Sequence, residues 1–169
     1  MSAPPTDAEL DAAARELGRA LTARRWQMAA AESCTGGLVG HVITQVPKAS
    51  DHFLGAIVSY SDEVKKHLLD VPADLLERAG AVSPEVAEAM ARGALGRFDA
   101  AHVSIAVTGI AGPDGGSPGK PVGLTFVAAA LRDGDATVER HEWAFDRDGN
   151  KRASALAALR LASRVVAGA

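Results

Sequence analysis

The chain has 169 residues, 47% apolar and 23% charged, with a formal net charge of −3, which is the composition of a globular protein with one core. Its basic residues are scattered along the chain, so the sequence has no basic cluster of the kind with which a protein contacts nucleic acid directly. No run approaches the roughly 18 apolar residues that a membrane helix needs. The chain has a single cysteine, Cys34, which excludes an internal disulfide. No Cys/His cluster has the spacing of a zinc site. The sequence starts with acidic residues and without an apolar signal segment, which predicts a cytoplasmic protein.

Helices and strands alternate along most of the sequence. Residues 1–6 are expected to form a flexible tail, and residues 7–169 a single domain. In chain order the patterns predict a helix over 7–24, a strand over 25–31, a helix over 38–46, a strand over 53–60, helices over 62–69, 73–80 and 84–98, strands over 102–108, 122–131 and 137–145, and a last helix over 151–166. Capping residues precede several of these helices, with a capping box at Thr6 and Glu9 and a Ser-Pro start at Ser83.

The order of these elements predicts the fold class. Strands that alternate with helices are typical of an α/β domain, and a hairpin is predicted at Asp133-Gly134-Asp135 between the last two strands. The final strand alternates apolar and charged residues, as a solvated edge strand does. We therefore expect a mixed sheet with helices on both faces, and functional loops at the carboxyl ends of its strands.

The first unusual loop is AESCTGG, residues 31–37, at a predicted strand-to-helix turn. A helix N-terminus presents unpaired N–H groups and a partial positive charge, which would activate a hydroxyl or thiol of Ser33, Cys34 or Thr35 and hold an oxyanion or phosphate. Gly36 and Gly37 would let the backbone come close to a ligand. The alternative is that Ser and Thr only cap the helix, and that Cys34 is a small buried residue.

The second loop is SYSDEVKK, residues 59–66. Tyr60 ends a predicted strand, and Lys65 lies about one turn into the next helix. A lysine in an apolar cleft loses its proton near neutral pH and acts as a base toward a hydroxyl. The alternative is a solvated lysine, which is what we expect of Lys66.

The third loop, residues 109–121, contains five glycines and three prolines. Loops of this length in a small domain are usually functional or disordered. Its first half continues directly from a predicted buried strand at Thr108, so we expect that half to be ordered, with glycine amides able to form an anion-binding nest. It lacks the Gly-Lys-Ser/Thr ending of a nucleotide P-loop, and the alternative is a mobile surface loop.

Four segments together carry a family resemblance. They are AESCTGGLVGHVIT, GAIVSYSDEVKKHLLDV, GAVSPEVAEAM and AVTGIAGPDGGSPGKPVGLTFVA, and in this order they resemble the carboxy-terminal domain of the CinA family over about residues 8–165. The resemblance implies a stand-alone, metal-free and cofactor-free nicotinamide mononucleotide deamidase, which converts its pyridine nucleotide substrate to nicotinate mononucleotide and ammonia. It also implies a homodimer and a three-layer α/β/α sandwich, with a mixed, mostly parallel sheet of about five strands.

The resemblance also assigns residues. The family serine falls on Ser33, and its YSN-x-x-K segment falls on residues 60–65, where Asp62 replaces the usual Asn and adds a negative charge near Lys65. The TGIAGP motif falls on residues 108–113. The greatest departure is FDRDGNKRASA at residues 145–155, where a GDR-x-x-x-R segment is usual. Arg147, Lys151 and Arg152 are then the candidates for contact with the ligand phosphate.

The mechanism expected from these residues is amide hydrolysis through an acyl-enzyme. Ser33 would attack the carboxamide carbon, and Lys65 would take the hydroxyl proton directly or through Tyr60. Amides near Thr35 and Gly36 would stabilise the oxyanion, and the loop from Gly109 to Gly116 would hold the ribose and phosphate. The expected substrate-binding residues are Glu32, Thr35, Gly36, Thr108, Gly109, Ile110, Gly112, Gly115 and Arg152.

Two other functions remain open at the level of sequence. The same nucleophile and glycines would serve a serine esterase or an amidase of other specificity. The chain would also suit a non-catalytic nucleotide-binding or partner domain, which would bind its ligand without turning it over. A shared fold does not decide between these functions, because function depends on the site.

Overall fold

The computed structural model describes residues 3–169. Its elements are α1 (Asp7–Arg24), β1 (Met28–Glu32), α2 (Leu38–Gln45), a short 3-10 helix (Ala49–Asp51), β2 (Phe53–Val58), α3 (Asp62–Leu69), α4 (Ala73–Ala79), α5 (Pro84–Arg97), β3 (Val103–Gly109), β4 (Leu124–Leu131), β5 (Ala136–Glu142) and α6 (Arg147–Gly168). Met1 and Ser2, the first part of the expected tail, lie outside the described residues. No helix within residues 3–169 is both long enough and apolar enough to cross a membrane.

The five strands form one mixed sheet in the order β2-β1-β3-β4-β5. Strand β1 is parallel to both β2 and β3, and β4 is antiparallel to both β3 and β5. Only β4 therefore runs against the common direction, which confirms the predicted mixed, mostly parallel sheet. The β4–β5 hairpin is also confirmed, and β5 lies at the edge of the sheet as its alternating charges predict.

Helices cover both faces of the sheet, which confirms the three-layer sandwich. One core joins α1, α2 and α6 to the sheet through side chains such as Met28 and Ala30 of β1. The other joins α3, α4 and α5 to the opposite face through Ala29 and Ala31. Successive residues of a strand point to opposite faces, so a central strand such as β1 is apolar and fully buried along its length.

The register of the three parallel strands positions the functional loops. Glu32, the last residue of β1, pairs with Val58 on one side and Val107 on the other. Strands β1, β2 and β3 therefore end side by side at one edge of the sheet. The three loops singled out in the sequence follow these ends, so the topology brings them together.

Local capping explains where the helices begin. Thr6 and Glu9 form the predicted capping box at α1, and the Ser83 hydroxyl accepts the N–H of Val86 at α5. The last helix begins at Arg147, four residues before the predicted start at Lys151. The reason is that the Asp146 side chain accepts the Gly149 N–H at 2.8 Å and caps the helix there.

Candidate active site

Ser33 follows β1 directly and begins the turn that leads into α2. Its N–H donates to the Val107 carbonyl at 2.9 Å, which continues the pairing of β1 with β3. The Gly36 N–H then donates back to the Ser33 carbonyl at 3.1 Å. Gly37 has a φ of 98° at the start of α2, a backbone conformation that favours glycine. The turn holds Ser33 at the end of the central strands with its side chain facing a pocket.

Glu32 lies at the N-terminus of α2, where the sequence predicts that an oxyanion or phosphate of a ligand binds. Its carboxylate is fully buried and accepts the N–H groups of Gly37, Val39 and Gly40 at 2.9, 3.0 and 2.8 Å. It also accepts the Thr35 hydroxyl at 2.7 Å. The N-terminus of α2 is therefore already satisfied from within the protein, so Glu32 and Thr35 have structural contacts here instead of facing a ligand.

The amides left for an oxyanion are those closest to Ser33. The Gly36 N–H is bound to the Ser33 carbonyl, so the expectation that the Gly36 amide would bind the oxyanion is wrong. The N–H groups of Cys34 and Thr35 have no hydrogen-bond acceptor within residues 3–169. An N–H on the residue after a nucleophile is the usual oxyanion donor in strand-to-helix turns of this kind.

Lys65 is the largest fully buried side chain within residues 3–169, only 1% exposed. Its Nζ lies 3.2 Å from the Ser33 Oγ, and it donates to the carbonyls of Ser59 and Tyr60 at 3.0 and 3.1 Å. The Ser61 side chain caps α3 by accepting the Val64 N–H, which sets the helix so that Lys65 points toward Ser33. The carbonyls fix the amine, and the remaining position on its nitrogen faces the hydroxyl.

Burial lowers the pKa of Lys65, because removal from water disfavours the charged form. Asp62 opposes this effect, since its Oδ1 lies 3.7 Å from Nζ and its negative charge raises the pKa. Desolvation is the larger of the two causes, and the pKa of Lys65 stays below its ordinary value. A buried amine with a lowered pKa beside a hydroxyl has the chemistry of a general base next to a nucleophile.

Burial shifts the pKa of the neighbouring Cys34 thiol upward, in the opposite direction to the shift in Lys65. Cys34 is buried, and burial raises its pKa to about 12. A thiol with that pKa stays protonated at neutral pH and is a poor nucleophile. Of the two adjacent candidates in the ESCTGG segment, the geometry favours the Ser33 hydroxyl as the attacking group.

A pocket of about 260 Å³ lies over Ser33 and Lys65. Its lining includes, from the predicted set, Ser33, Tyr60, Lys65, Thr108, Gly109, Ile110, Gly112 and Gly115, together with Cys34, Asp114 and Arg147. A Cβ on Gly109 would lie 2.6 Å from the Thr125 hydroxyl and 3.1 Å from the Cys34 sulfur. The glycine therefore lets the end of β3 pack directly against the turn that carries Ser33.

The glycine-rich loop is anchored at its beginning by contacts to the segment between α4 and α5 and to α6. The Thr108 hydroxyl donates to the Ala81 carbonyl at 2.7 Å. The Asn150 side chain donates to the Ala111 carbonyl at 3.0 Å, and Arg147 donates to the Gly112 carbonyl at 2.6 Å. These contacts hold the first half of the loop against the pocket, as its continuation from β3 predicts.

Of the three basic residues predicted for the ligand phosphate, Arg147 is the one that lines the pocket. Its second guanidinium nitrogen lies 3.4 Å from the Tyr60 hydroxyl, at the mouth of the pocket. Arg152 does not reach the pocket, because its guanidinium binds the Pro5 carbonyl and the Asp7 carboxylate on the other side of α6. The sequence feature that points to Arg147 is Asp146, a residue type that caps helices. Because Asp146 caps α6, the helix begins at Arg147, and that side chain is directed toward the glycine-rich loop.

Tyr60 contributes through two different groups. Its carbonyl accepts from Lys65, whereas its hydroxyl contacts Arg147, and the residue as a whole is 62% exposed. The geometry thus favours direct proton transfer between Ser33 and Lys65 over a path through the Tyr60 hydroxyl. Within residues 3–169 no three His, Cys, Asp or Glu side chains converge in the manner of a metal site.

Both the sequence and the fold of this chain are similar to those of known proteins. The family model of the CinA C-terminal domain matches residues 10–166. A CinA-like protein of Desulfotalea psychrophila is 50% identical over 125 residues, which are 74% of this chain and 30% of that protein. A CinA-like protein of Parasynechococcus marenigrum is 49% identical over 139 residues, 82% of this chain and 32% of that protein. The chain thus spans about a third of the length of these curated relatives.

Solved structures show the same fold over nearly the whole chain. The competence damage-inducible protein A (ComA) of Klebsiella pneumoniae subsp. pneumoniae MGH 78578 has a TM-score of 0.89 and 33% identity, over 94% of this chain and 97% of that one. The competence/damage inducible protein CihA of Agrobacterium tumefaciens has a TM-score of 0.88 and 36% identity, over 95% and 96% of the two chains. With the family model matching almost all of its length, the chain belongs to the CinA C-terminal domain family.

Proposed function

We propose that the chain hydrolyses the carboxamide of nicotinamide mononucleotide to nicotinate mononucleotide and ammonia. The observation that carries the proposal is the buried Lys65 amine at 3.2 Å from the Ser33 hydroxyl, at the floor of a pocket. A serine with a lysine base is a known solution for acyl transfer. The choice of a nicotinamide nucleotide rests on the family resemblance and on the basic residue at the pocket mouth.

The first half of the reaction forms an acyl-enzyme. The Ser33 Oγ attacks the carboxamide carbon while its proton passes to the neutral Lys65 amine. The carbonyl oxygen becomes an oxyanion, which the N–H of Cys34, on the residue after the nucleophile, stabilises. When the carbon–nitrogen bond breaks, Lys65 returns the proton to the departing nitrogen, and ammonia leaves.

The second half regenerates the serine. A water molecule attacks the acyl carbon and gives its proton to Lys65, and the ester bond to Ser33 breaks to release the nicotinate. Lys65 then returns the proton to the Ser33 oxygen. The amine is thus neutral at the start and at the end of each cycle, which is why a lowered pKa matters.

The rest of the nucleotide would lie along the glycine-rich loop. The ribose fits beside Gly109 and Ile110, and the phosphate beside Arg147, because a phosphomonoester favours a guanidinium partner. Arg147 is an exposed residue, so it can take a ligand without first breaking a buried contact. The cytoplasmic location and homodimer that the resemblance implies belong to the same proposal.

The experiment is an assay of ammonia and acid-nucleotide formation from nicotinamide mononucleotide in metal-free buffer, with the parent chain beside Ser33→Ala. Turnover by the parent that is lost in the variant supports the proposal. Hydrolysis of simple esters without turnover of the nucleotide would identify an esterase. Ligand binding that raises the melting temperature without turnover would identify a non-catalytic nucleotide-binding domain.

A further inference from the structure

A second cleft lies at the opposite end of the sheet from Ser33. It has a volume of about 520 Å³ and is formed by the second half of α1 and by the segment that leads from α2 to β2. The Met28 N–H at the start of β1 donates to the His52 carbonyl at 2.8 Å, whereas Ser33 follows the end of β1. The strand between them spans about 16 Å at 3.3 Å per residue, so this second cleft is separate from the Ser33 pocket.

An unpartnered imidazole faces this second cleft. His52 is 96% buried, being only 4% exposed, and its ring lines the cleft. Neither ring nitrogen has a hydrogen-bond partner within residues 3–169, and neither is sealed from the cleft. The two nitrogens are therefore accessible from the cleft, where the imidazole N–H can donate a hydrogen bond to a ligand.

The backbone of α1 makes room for this ring. A Cβ on Gly18 would lie 2.9 Å from the His52 Cε1 and 3.0 Å from its Nε2. Gly18 is inside α1, where glycine is less favourable than alanine. Gly18 therefore lowers the stability of α1 but leaves the space that the His52 ring occupies. The position of the ring is thus part of how α1 packs in this fold.

The charges around the cleft favour an anion. Arg15, Arg19 and Lys48 line it, against a single carboxylate from Asp51. Arg15 is paired with Asp11 at 2.7 Å, whereas Arg19 and Lys48 have no ionic or hydrogen-bonded partner within residues 3–169. Two unpaired cations and an imidazole N–H around one cavity are suited to a ligand with several acceptor oxygens.

We propose that this second cleft is a phosphate-binding site, in which Arg19, Lys48 and His52 hold the phosphate group of a small molecule or free phosphate. A phosphate offers three or four acceptor oxygens, so it can meet both cations and the imidazole at once. The cleft is large enough for more than the phosphate itself. The site is independent of the proposed deamidase chemistry, because no residue of the Ser33 pocket lines it.

The test follows the His52 ring nitrogens by NMR in the full ¹⁵N-labelled chain while inorganic phosphate is added at constant ionic strength. We expect a saturable shift of the His52 resonances. We also expect a rise in the pKa of His52, which burial lowers in the free protein, because a bound anion favours the charged imidazole. Asp51, Arg15, Arg19 and Lys48 are the other charged groups that line the cleft around the ring.

Matched variants separate the site from general charge effects. Arg19→Gln with Lys48→Gln should weaken phosphate binding about tenfold. Arg78→Gln with Arg92→Gln removes the same charge from surface helix pairs elsewhere and should leave binding unchanged. Arg147→Gln should also leave the His52 response unchanged, even if it abolishes turnover.

Two phosphate sources are compared in the same titration. Tighter binding of adenosine monophosphate than of inorganic phosphate would identify the phosphate of a nucleotide as the ligand, and equal binding would identify free phosphate. His52 resonances that do not move, that respond equally to chloride, or that respond as strongly in the Arg19/Lys48 variant would overturn the proposal. None of these results depends on whether the chain is a deamidase.

Discussion

The side-chain nitrogen of Lys65 lies 3.2 Å from the hydroxyl oxygen of Ser33, although 32 residues separate them in the chain. Two neighbouring parallel strands bring the side chains together, because Ser33 follows β1 and Lys65 lies one turn into α3, the helix that follows β2. The amine is removed from water and held by two carbonyls, so its contact with the hydroxyl is preorganised. Most of the testable consequences follow from this pair.

Replacement of Ser33 tests the nucleophile. Ser33→Ala should lower kcat for nicotinamide mononucleotide by about 10³-fold or more, since loss of a nucleophile removes the covalent path. The measurement is ammonia release under saturating substrate. Ser59→Ala is the matched control, because its backbone carbonyl still holds Lys65 after the hydroxyl is removed. Ammonia release near the parent rate in Ser33→Ala would exclude the serine mechanism.

The pH dependence tests Lys65 as the base. In the proposed mechanism the neutral amine is the active form, so kcat/KM should rise with pH through the Lys65 pKa. Because burial lowers that pKa, this rising limb of the profile should lie below the ordinary range of lysine. Because the Asp62 charge raises that pKa, Asp62→Asn should move the limb to lower pH. The shift should be small, because the Asp62 side chain is 55% exposed and water screens its charge.

Two variants control the pH experiment. Glu63→Gln removes the same charge from the next residue, whose carboxylate pairs with Lys66, and should leave the limb in place. Lys65→Met should abolish the limb together with most of the activity. A limb that persists in Lys65→Met would assign the base to another group.

Thiol labelling tests the assignment of Cys34. With burial raising its pKa to about 12, the thiol should react with iodoacetamide at least about tenfold more slowly than a free cysteine at neutral pH. Cys34→Ala should keep the activity within a few-fold of the parent. Fast alkylation that abolishes turnover, and that substrate prevents, would instead indicate a nucleophilic thiolate.

Glu32→Gln tests whether this residue supports the fold or binds substrate. The amide would place its own N–H donors against the backbone N–H groups from which Glu32 now accepts hydrogen bonds. The free energy of unfolding should therefore fall by about 2–4 kcal/mol. Urea unfolding measures it. Glu16→Gln, at an exposed position of α1, should change stability by less than about 0.5 kcal/mol. A stable Glu32→Gln variant with a raised KM would show that Glu32 meets the substrate.

The two arginines of α6 make a matched pair for the phosphate contact. Arg147→Gln should raise KM for nicotinamide mononucleotide about tenfold or more with a smaller change in kcat, because it removes binding energy remote from the reacting bond. Arg152→Gln should leave both constants near the parent values, since its guanidinium is bound to Pro5 and Asp7. The reverse result would place the phosphate on the other side of α6.

The elements of the fold were largely predictable from the sequence, because their signals are local. The capping box at Thr6, the Ser-Pro start at Ser83 and the hairpin before β5 each depend on residues only a few positions apart. The start of α6 was predicted four residues late. Gly149 and Asn150 discourage a helix by propensity, whereas burial of both and the Asp146 cap stabilise one.

The site was predictable only in part. The three loops were found because hydroxyls, a lysine and glycines in a row are rare and chemically distinctive. The roles within them were not all predictable: Glu32 caps α2, Gly36 closes a turn, and Arg147 replaces Arg152 at the pocket. Each of these outcomes depends on which donor or acceptor lies nearby in space, and no local pattern contains that information.

By itself, the sequence determined the order of strands and helices, and therefore that the ends of β1, β2 and β3 would carry the functional loops. Only the tertiary structure decided that the Lys65 amine is buried against Ser33. The reason is physical: helix and strand signals act between residues within one or two turns, whereas burial, and with it the pKa of an amine, is set by side chains that the fold brings together from distant parts of the chain.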